Sequence, residues 1–200
     1  MTRVAISVEG KTEREFVNYV LAPFFNHLET AVIPISVDGN ISLQRVAKEI
    51  TQLLHSFDYV TTFYDFYGFK DKPADITADQ LEEQLKQTVK EELRFFPYIQ
   101  KLEFEALMFA NPEITANHFK EPNKQKDLEK ILCRYNFNPE DINGGNETHP
   151  SKRLEKLFSG YNKALDGPVI AGKIGLQILR EQCPRFNKWI EKITQLVKNK

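Results

Sequence analysis

Acidic residues recur at one kind of place in this sequence. Glu9 follows the apolar run Val4-Ala5-Ile6-Ser7-Val8 and is followed by Gly10. Asp65 follows Tyr59–Tyr64, and Glu103 with Glu105 follow Pro97–Leu102. Each run reads as a strand. The first is nearly continuous in apolar residues, as in a strand covered on both faces. The second is rich in β-branched and aromatic residues. In a parallel sheet all carboxyl ends share one edge, the edge at which open α/β sheets bind ligands. Carboxylates gathered there repel and raise each other's pKa unless a cation neutralises them. Oxygen donors without thiols or histidine pairs select Mg²⁺ or Mn²⁺ over Zn²⁺. Such a centre suits phosphoryl chemistry, because the ion orients water and balances charge on the phosphate and leaving oxygen.

Each carboxylate also has a plainer reading. Glu9 and Glu13 are placed to compensate a helix dipole, and Asp65 precedes a turn containing Gly68. Positions two apart on an α-helix diverge by roughly 200°, so Glu103 and Glu105 face one ion only where the chain is irregular. Asp71 is a more distant candidate ligand. Ser151-Lys152-Arg153, just after Pro150, opens a predicted helix whose N–H groups and two cations would favour a phosphate; the alternative is a solvated basic turn. His27, His55, His118 and His149 share no metal spacing, and the glycines form no phosphate loop.

The elements that must position these groups alternate. After the first strand, Thr12 is the expected N-cap of a helix to Leu28, Glu15 completing a capping box and Pro23 marking an irregularity. Ala31–Val37 reads as a second strand, kept to an edge by Pro34. Asp38-Gly39-Asn40 is a turn. Ser42 caps a helix to about His55, and Tyr59–Tyr64 is the third strand. A loop over 66–78, an amphipathic helix over Asp79–Leu93 and a fourth strand at Pro97–Leu102 follow. Glu103–Ala110 reads as a helix. Beyond Asn111 the pattern predicts only helices, over 124–135, 151–158, 168–181 and 184–197. The expected architecture is an α/β domain over 1–110, with a mostly parallel sheet flanked by helices, and a C-terminal helical extension over 111–200.

Apolar residues at 41% and charged residues at 28% allow an ordinary core and argue against disorder. With 27 basic and 28 acidic residues, bulk charge does not coat nucleic acid, although a local basic groove remains open. No apolar run approaches the roughly 20 residues of a membrane span, and the start lacks a signal pattern. Cys133 and Cys183 are isolated, as expected of reduced thiols in the cytoplasm.

VEGKTE resembles the first signature of the Toprim domain, in which a Glu-Gly pair closes strand one. Glu9-x-x-x-Glu13 is similar to the overcoming-lysogenization-defect (OLD) nucleases, where both glutamates help hold metal. Asp65 occupies the place of the Toprim Asp-x-Asp motif, and Glu103-Phe104-Glu105 resembles the third acidic cluster of the group. VEGKTEREFV, TTFYDFYGF, IQKLEFEALMFA, PSKRLEKLF and DGPVIAGKIGL together resemble a Toprim-like family of the RloG type, across almost the whole chain. The resemblance implies a bacterial protein encoded beside an ATPase of the AAA or ABC type and acting in restriction or phage defence. It implies Mg²⁺- or Mn²⁺-dependent cleavage of DNA or RNA. Glu9, Glu13, Asp65, Glu103, Glu105 and Asp71 would be its metal ligands, with Glu9, Asp65, Glu105 and Lys152 catalytic and Ser151, Lys152 and Arg153 on the phosphate. One departure stands out: Tyr67 replaces the second aspartate of Asp-x-Asp. That favours an alternative, a non-catalytic subunit of the ATPase with a degenerate site.

Overall fold

A computed structural model describes residues 1–37, 41–91, 93–142 and 148–198. The expected turn at Asp38-Gly39-Asn40 lies outside them. The chain divides into two compact units, Met1–Lys101 with Thr194–Lys200, and Leu102–Ile193. The segment Leu102–Ala110, expected to end the α/β domain, belongs to the second unit.

In the first unit, β1 (Thr2–Val8) pairs in parallel with β2 (Thr30–Ser36) on one side and β3 (Tyr59–Asp65) on the other. Among the described residues β2 has no other neighbour, so Pro34, which lacks an N–H, sits on an edge strand. The mostly parallel α/β architecture read from the sequence is the one observed. The fourth strand differs. It is two short strands, β4 (Phe95–Phe96) and β5 (Ile99–Gln100), both parallel to β3. Between them lies Pro97, which cannot donate to a ladder. The Thr62 side chain fills the gap: Oγ1 accepts from Tyr98 N at 2.9 Å and donates to Tyr98 O at 2.8 Å.

The first helix also departs from expectation. α1 spans Lys11–Phe16 with Gly10 as N-cap, and Glu13, not Glu15, closes the cap by accepting from Gly10 N at 3.1 Å. Thr12 lies buried inside the helix. A π-helical stretch, Val17–Leu21, leads into α2 (Ala22–Asn26). Pro23 sits in the first turn of α2, where its missing N–H does no harm. Helix α3 (Leu43–Leu53) begins as predicted, with Ser42 Oγ accepting from Arg45 N at 3.2 Å. Helix α4 (Ala78–Val89) is shorter than the expected Asp79–Leu93. Thr77 and Gln80 form its capping box, and Lys90, at φ 57°, stops it. Ala5, Val46, Ile50, Tyr64, Leu81 and Leu85 belong to one buried cluster that joins α3 and α4 to the sheet.

In the second unit, Phe104–Ala110 is a 3₁₀ helix with every residue buried. Helices α5 (Pro112–His118), α6 (Gln125–Cys133), α7 (Pro150–Leu157), α8 (Lys163–Ile174) and α9 (Leu176–Gln182) follow, and α10 (Pro184–Lys198) ends the described chain. The single helix expected over 168–181 is two. Gly175, at φ 83° and ψ 150°, breaks it in a conformation open essentially to glycine alone. Helix α8 begins earlier than expected because Asn162 caps it, accepting from Ala164 N at 3.1 Å. Among the described residues no helix is long and apolar enough to cross a membrane.

Candidate functional site

The last residue of β3 and the first beyond β1 carry the two best-placed carboxylates of the first unit. Asp65 is 6% exposed; Glu9 is partly buried. After Asp65 the chain makes one 3₁₀ turn, Phe66–Gly68. Gly68 has an ordinary backbone conformation, and its lack of a side chain serves space rather than φ. A Cβ there would overlap Glu9 Oε2 and lie 3.1 Å from Cδ and 3.3 Å from Oε1. The Glu9 carboxylate is therefore seated in the notch that Gly68 leaves, on the turn that follows Asp65. Lys72 straps this turn: Nζ donates to Phe69 O at 2.8 Å and stands 4.7 Å from the Phe66 ring centroid. Partial burial lowers the Lys72 pKa, against the opposing pull of Asp71. Asp71 and Tyr67 are exposed. Glu13, buried, has its Oε2 engaged as the helix cap.

The second unit holds the other candidates. The pair two positions apart does diverge. Glu103 lies outside the 3₁₀ helix, in extended conformation, and its Oε2 accepts from Ser151 N at 3.0 Å. The N-terminus of α7, expected to meet a phosphate, thus receives a carboxylate of the protein. Arg153 donates from Nε to Thr148 O at 2.7 Å and from Nη2 to Tyr135 Oη at 3.0 Å. Lys152 pairs at the surface with Glu155, 2.7 Å away.

Glu105 is completely buried. Tyr161 Oη donates to its Oε1 at 2.9 Å, and Lys163 Nζ pairs with Oε2 at 3.2 Å. Burial, then the charge of Glu105 and its hydrogen bond, push the Tyr161 pKa far upward, so the phenol remains a donor. No local spacing announces these partners. They lie 56 and 58 residues downstream, just before α8 and at its first residue, in a stretch that the sequence offers only as a connection. Nearby, His118 Nε2 lies 2.8 Å from Asp166 Oδ1, while Lys173 Nζ lies 3.0 Å from Nδ1. Since an ammonium only donates, Nδ1 accepts and the Nε2 proton goes to Asp166.

Among the described residues, no three His, Cys, Asp or Glu side chains form a group able to hold a metal ion. Glu9 and Asp65 fit part of such a set. Both are hard oxygen donors at the carboxyl edge, and one sits in a notch that a Cβ would fill.

None of the curated proteins matches this chain. Two solved structures resemble it. The C-terminal region of the Burkholderia pseudomallei OLD protein is 18% identical, with 96% of this chain and 98% of that one covered and a TM-score of 0.52. The corresponding region of the Xanthomonas campestris pv. campestris OLD protein is 16% identical, with 97% and 96% covered and a TM-score of 0.44. The first of these likenesses supports the fold. Residues 8–194 match the family model described as a domain of unknown function, DUF4276, and the chain belongs to that family.

Proposed function

We propose that the chain is a Toprim-like, RloG-type nuclease that cleaves DNA or RNA phosphodiesters with Mg²⁺ or Mn²⁺. The observation that carries this reading is the Glu9 carboxylate, seated against Gly68 on the turn that follows Asp65. The likeness of fold to the OLD C-terminal region supports it. Glu9 and Asp65 would hold the ion, with Glu13, Asp71, Glu103 and Glu105 as further candidate ligands. When bound, the cation would supply charge neutralisation at phosphorus and an activated water at neutral pH. Lys152, in the first turn of α7 and paired with Glu155, would contact the substrate phosphate. Ser151 and Arg153, already engaged within the protein, would contribute less. Near-neutral net charge leaves much of the nucleic-acid affinity to a partner, for which the resemblance offers an AAA- or ABC-type ATPase. The setting proposed is phage defence in the cytoplasm.

The test is calorimetric titration of Mn²⁺ into wild type and Glu9→Gln, followed by plasmid and RNA cleavage. Binding and cleavage that both disappear in Glu9→Gln support the reading; a wild type that takes up no Mn²⁺ defeats it. One observation favours a second reading, a non-catalytic subunit of the ATPase. Tyr67 stands exposed where Asp-x-Asp would place its second ligand. That reading expects co-purification with the ATPase, unaffected by Glu9→Gln.

A further inference from the structure

A contiguous set of contacts in the first unit runs from helix α3 to the Glu9 carboxylate. Ser7 Oγ lies 2.5 Å from Tyr64 Oη and donates to Glu49 Oε1 at 2.9 Å. A serine hydroxyl has one proton, and here it goes to Glu49, so Tyr64 is the donor to Ser7. Ser7 and Tyr64 are completely buried, and Glu49 is half-buried on α3. Burial holds the Tyr64 phenol protonated, with the charges of Glu49 and Glu9 adding to the effect and Ser7 and Arg45 opposing it.

The tyrosine ring, pinned at its hydroxyl, meets Phe69 edge-on, with centroids 5.7 Å apart and planes at 84°. Phe69 is completely buried and bridges Ile41 through its backbone. The residue before it is Gly68, against which Glu9 is seated. The network therefore begins on β1 two residues before Glu9, touches β3 one residue before Asp65, and reaches the turn that receives Glu9.

We infer that Tyr64, Ser7 and Glu49 are positioning residues. Their hydrogen bonds set the Phe66–Gly68 turn and, through Phe69 and Gly68, the Glu9 carboxylate. The inference rests on the cation-binding role proposed for Glu9. Partners hydrogen-bonded directly to a metal ligand typically change affinity or activity by about 10–100-fold when removed, and this network acts further out, through a ring contact and a turn. A network that merely holds α3 on the sheet would change stability and leave Glu9 as it was.

Three variants separate the two. Tyr64→Phe keeps the ring and removes the hydroxyl. Glu49→Leu removes the acceptor for Ser7, and Glu49→Gln restores an acceptor oxygen without the charge. Mn²⁺ affinity is read by calorimetry beside thermal melting of each full-length protein. Tyr64→Phe and Glu49→Leu are expected to weaken Mn²⁺ binding by about 10-fold, the lower end of that range, with Glu49→Gln within about twofold of wild type. Wild-type affinity in both of the first two, whatever their melting temperatures, overturns the inference and leaves the metal reading standing. A wild type that takes up no Mn²⁺ overturns both. Should Tyr64→Phe fail to fold, the Glu49 pair, altered at the half-buried end, carries the same comparison.

Discussion

Substituting alanine at Gly68 adds one methyl group where the Glu9 carboxylate already lies. The new Cβ would stand 3.1 Å from Cδ, 3.3 Å from Oε1 and closer still to Oε2. Ordinary contact begins near 3.5 Å, so the carboxylate must withdraw by roughly 1 Å. Metal–ligand distances tolerate about 0.2 Å, and a 1 Å misplacement in an active site reduces rate by about 100-fold. Gly68→Ala is accordingly expected to lower Mn²⁺ affinity and cleavage by about two orders of magnitude. The stability effect depends on Glu9. With Glu9 present, overpacking is expected to destabilise by about 1–3 kcal/mol, less as the flexible carboxylate swings away. In a Glu9→Ala background the notch is empty and the φ is compatible with alanine. There Gly68→Ala is expected to stabilise by about 0.4–1 kcal/mol through the unfolded chain. Chemical denaturation of wild type, both single variants and the double variant measures this reversal without any metal. Equal effects of Gly68→Ala in the two backgrounds would refute the contact, and with it the reason for a glycine at this position.

Other consequences are local. Gly175→Ala, at φ 83°, meets no atom within 4 Å but forces alanine into a glycine conformation; a loss of about 1–3 kcal/mol on denaturation is expected, with no effect on Mn²⁺ uptake. Lys72→Met removes the strap on the Phe66–Gly68 turn, and hydrogen exchange at Phe66–Phe69 should quicken. Glu140, 2% exposed, accepts from Arg185 N at 2.7 Å and Phe186 N at 2.9 Å, capping α10 with both oxygens. Glu140→Gln keeps one acceptor and should destabilise by about 1–3 kcal/mol. Burial nevertheless raises the Glu140 pKa above its ordinary 4.5. The folded state then binds the proton more tightly than the unfolded one. Its contribution is fully present below about pH 4.5 and is lost as pH rises through the folded value. The deficit of Glu140→Gln against wild type should therefore narrow as pH increases across that window. A deficit that widens would show the ionised form to be favoured by folding.

The sheet was legible because its signals are local. The apolar run before Glu9, the β-branched run before Asp65 and the edge proline at Pro34 need no tertiary knowledge, and neither does the Ser42 cap. What escaped depended on groups distant in sequence. The fourth strand breaks at Pro97, and Thr62, 36 residues away from Tyr98, completes the pairing that the proline interrupts. The first helix is capped two residues earlier than its Thr12-to-Glu15 signature suggests, because Glu13 closes the cap on the Gly10 N–H. Apolar periodicity runs across the α8–α9 break, and only the backbone angles at Gly175 reveal it. Gly68 read as a turn glycine. That description is correct, but it omits the carboxylate that makes the residue small.

The candidate carboxylates can be sorted by a single physical question, whether a helix end already claims them. Unpaired N–H groups at helix starts attract carboxylates wherever they are buried. Glu13 serves α1, Glu103 serves α7, Glu140 serves α10, and Asp166 accepts from Asn162 N at 2.7 Å at the start of α8. These four have structural reasons to exist that do not involve a cation, and two of them, Glu13 and Glu103, are candidate ligands by the resemblance to the Toprim and OLD motifs. Glu105 is different. A fully buried carboxylate is held by a phenol and an ammonium rather than by a helix end, an arrangement expensive enough to demand its partners. Glu9 is set apart by Gly68, whose missing side chain admits its carboxylate, and Asp65 by its place at the end of the central strand that leads into the same turn. The substitutions with the most to say about chemistry are thus at Glu9, Asp65 and Glu105. Glu13→Gln and Glu103→Gln should act first on stability, through α1 and α7, and a nuclease assay that found them as damaging as Glu9→Gln at equal stability would reverse this order.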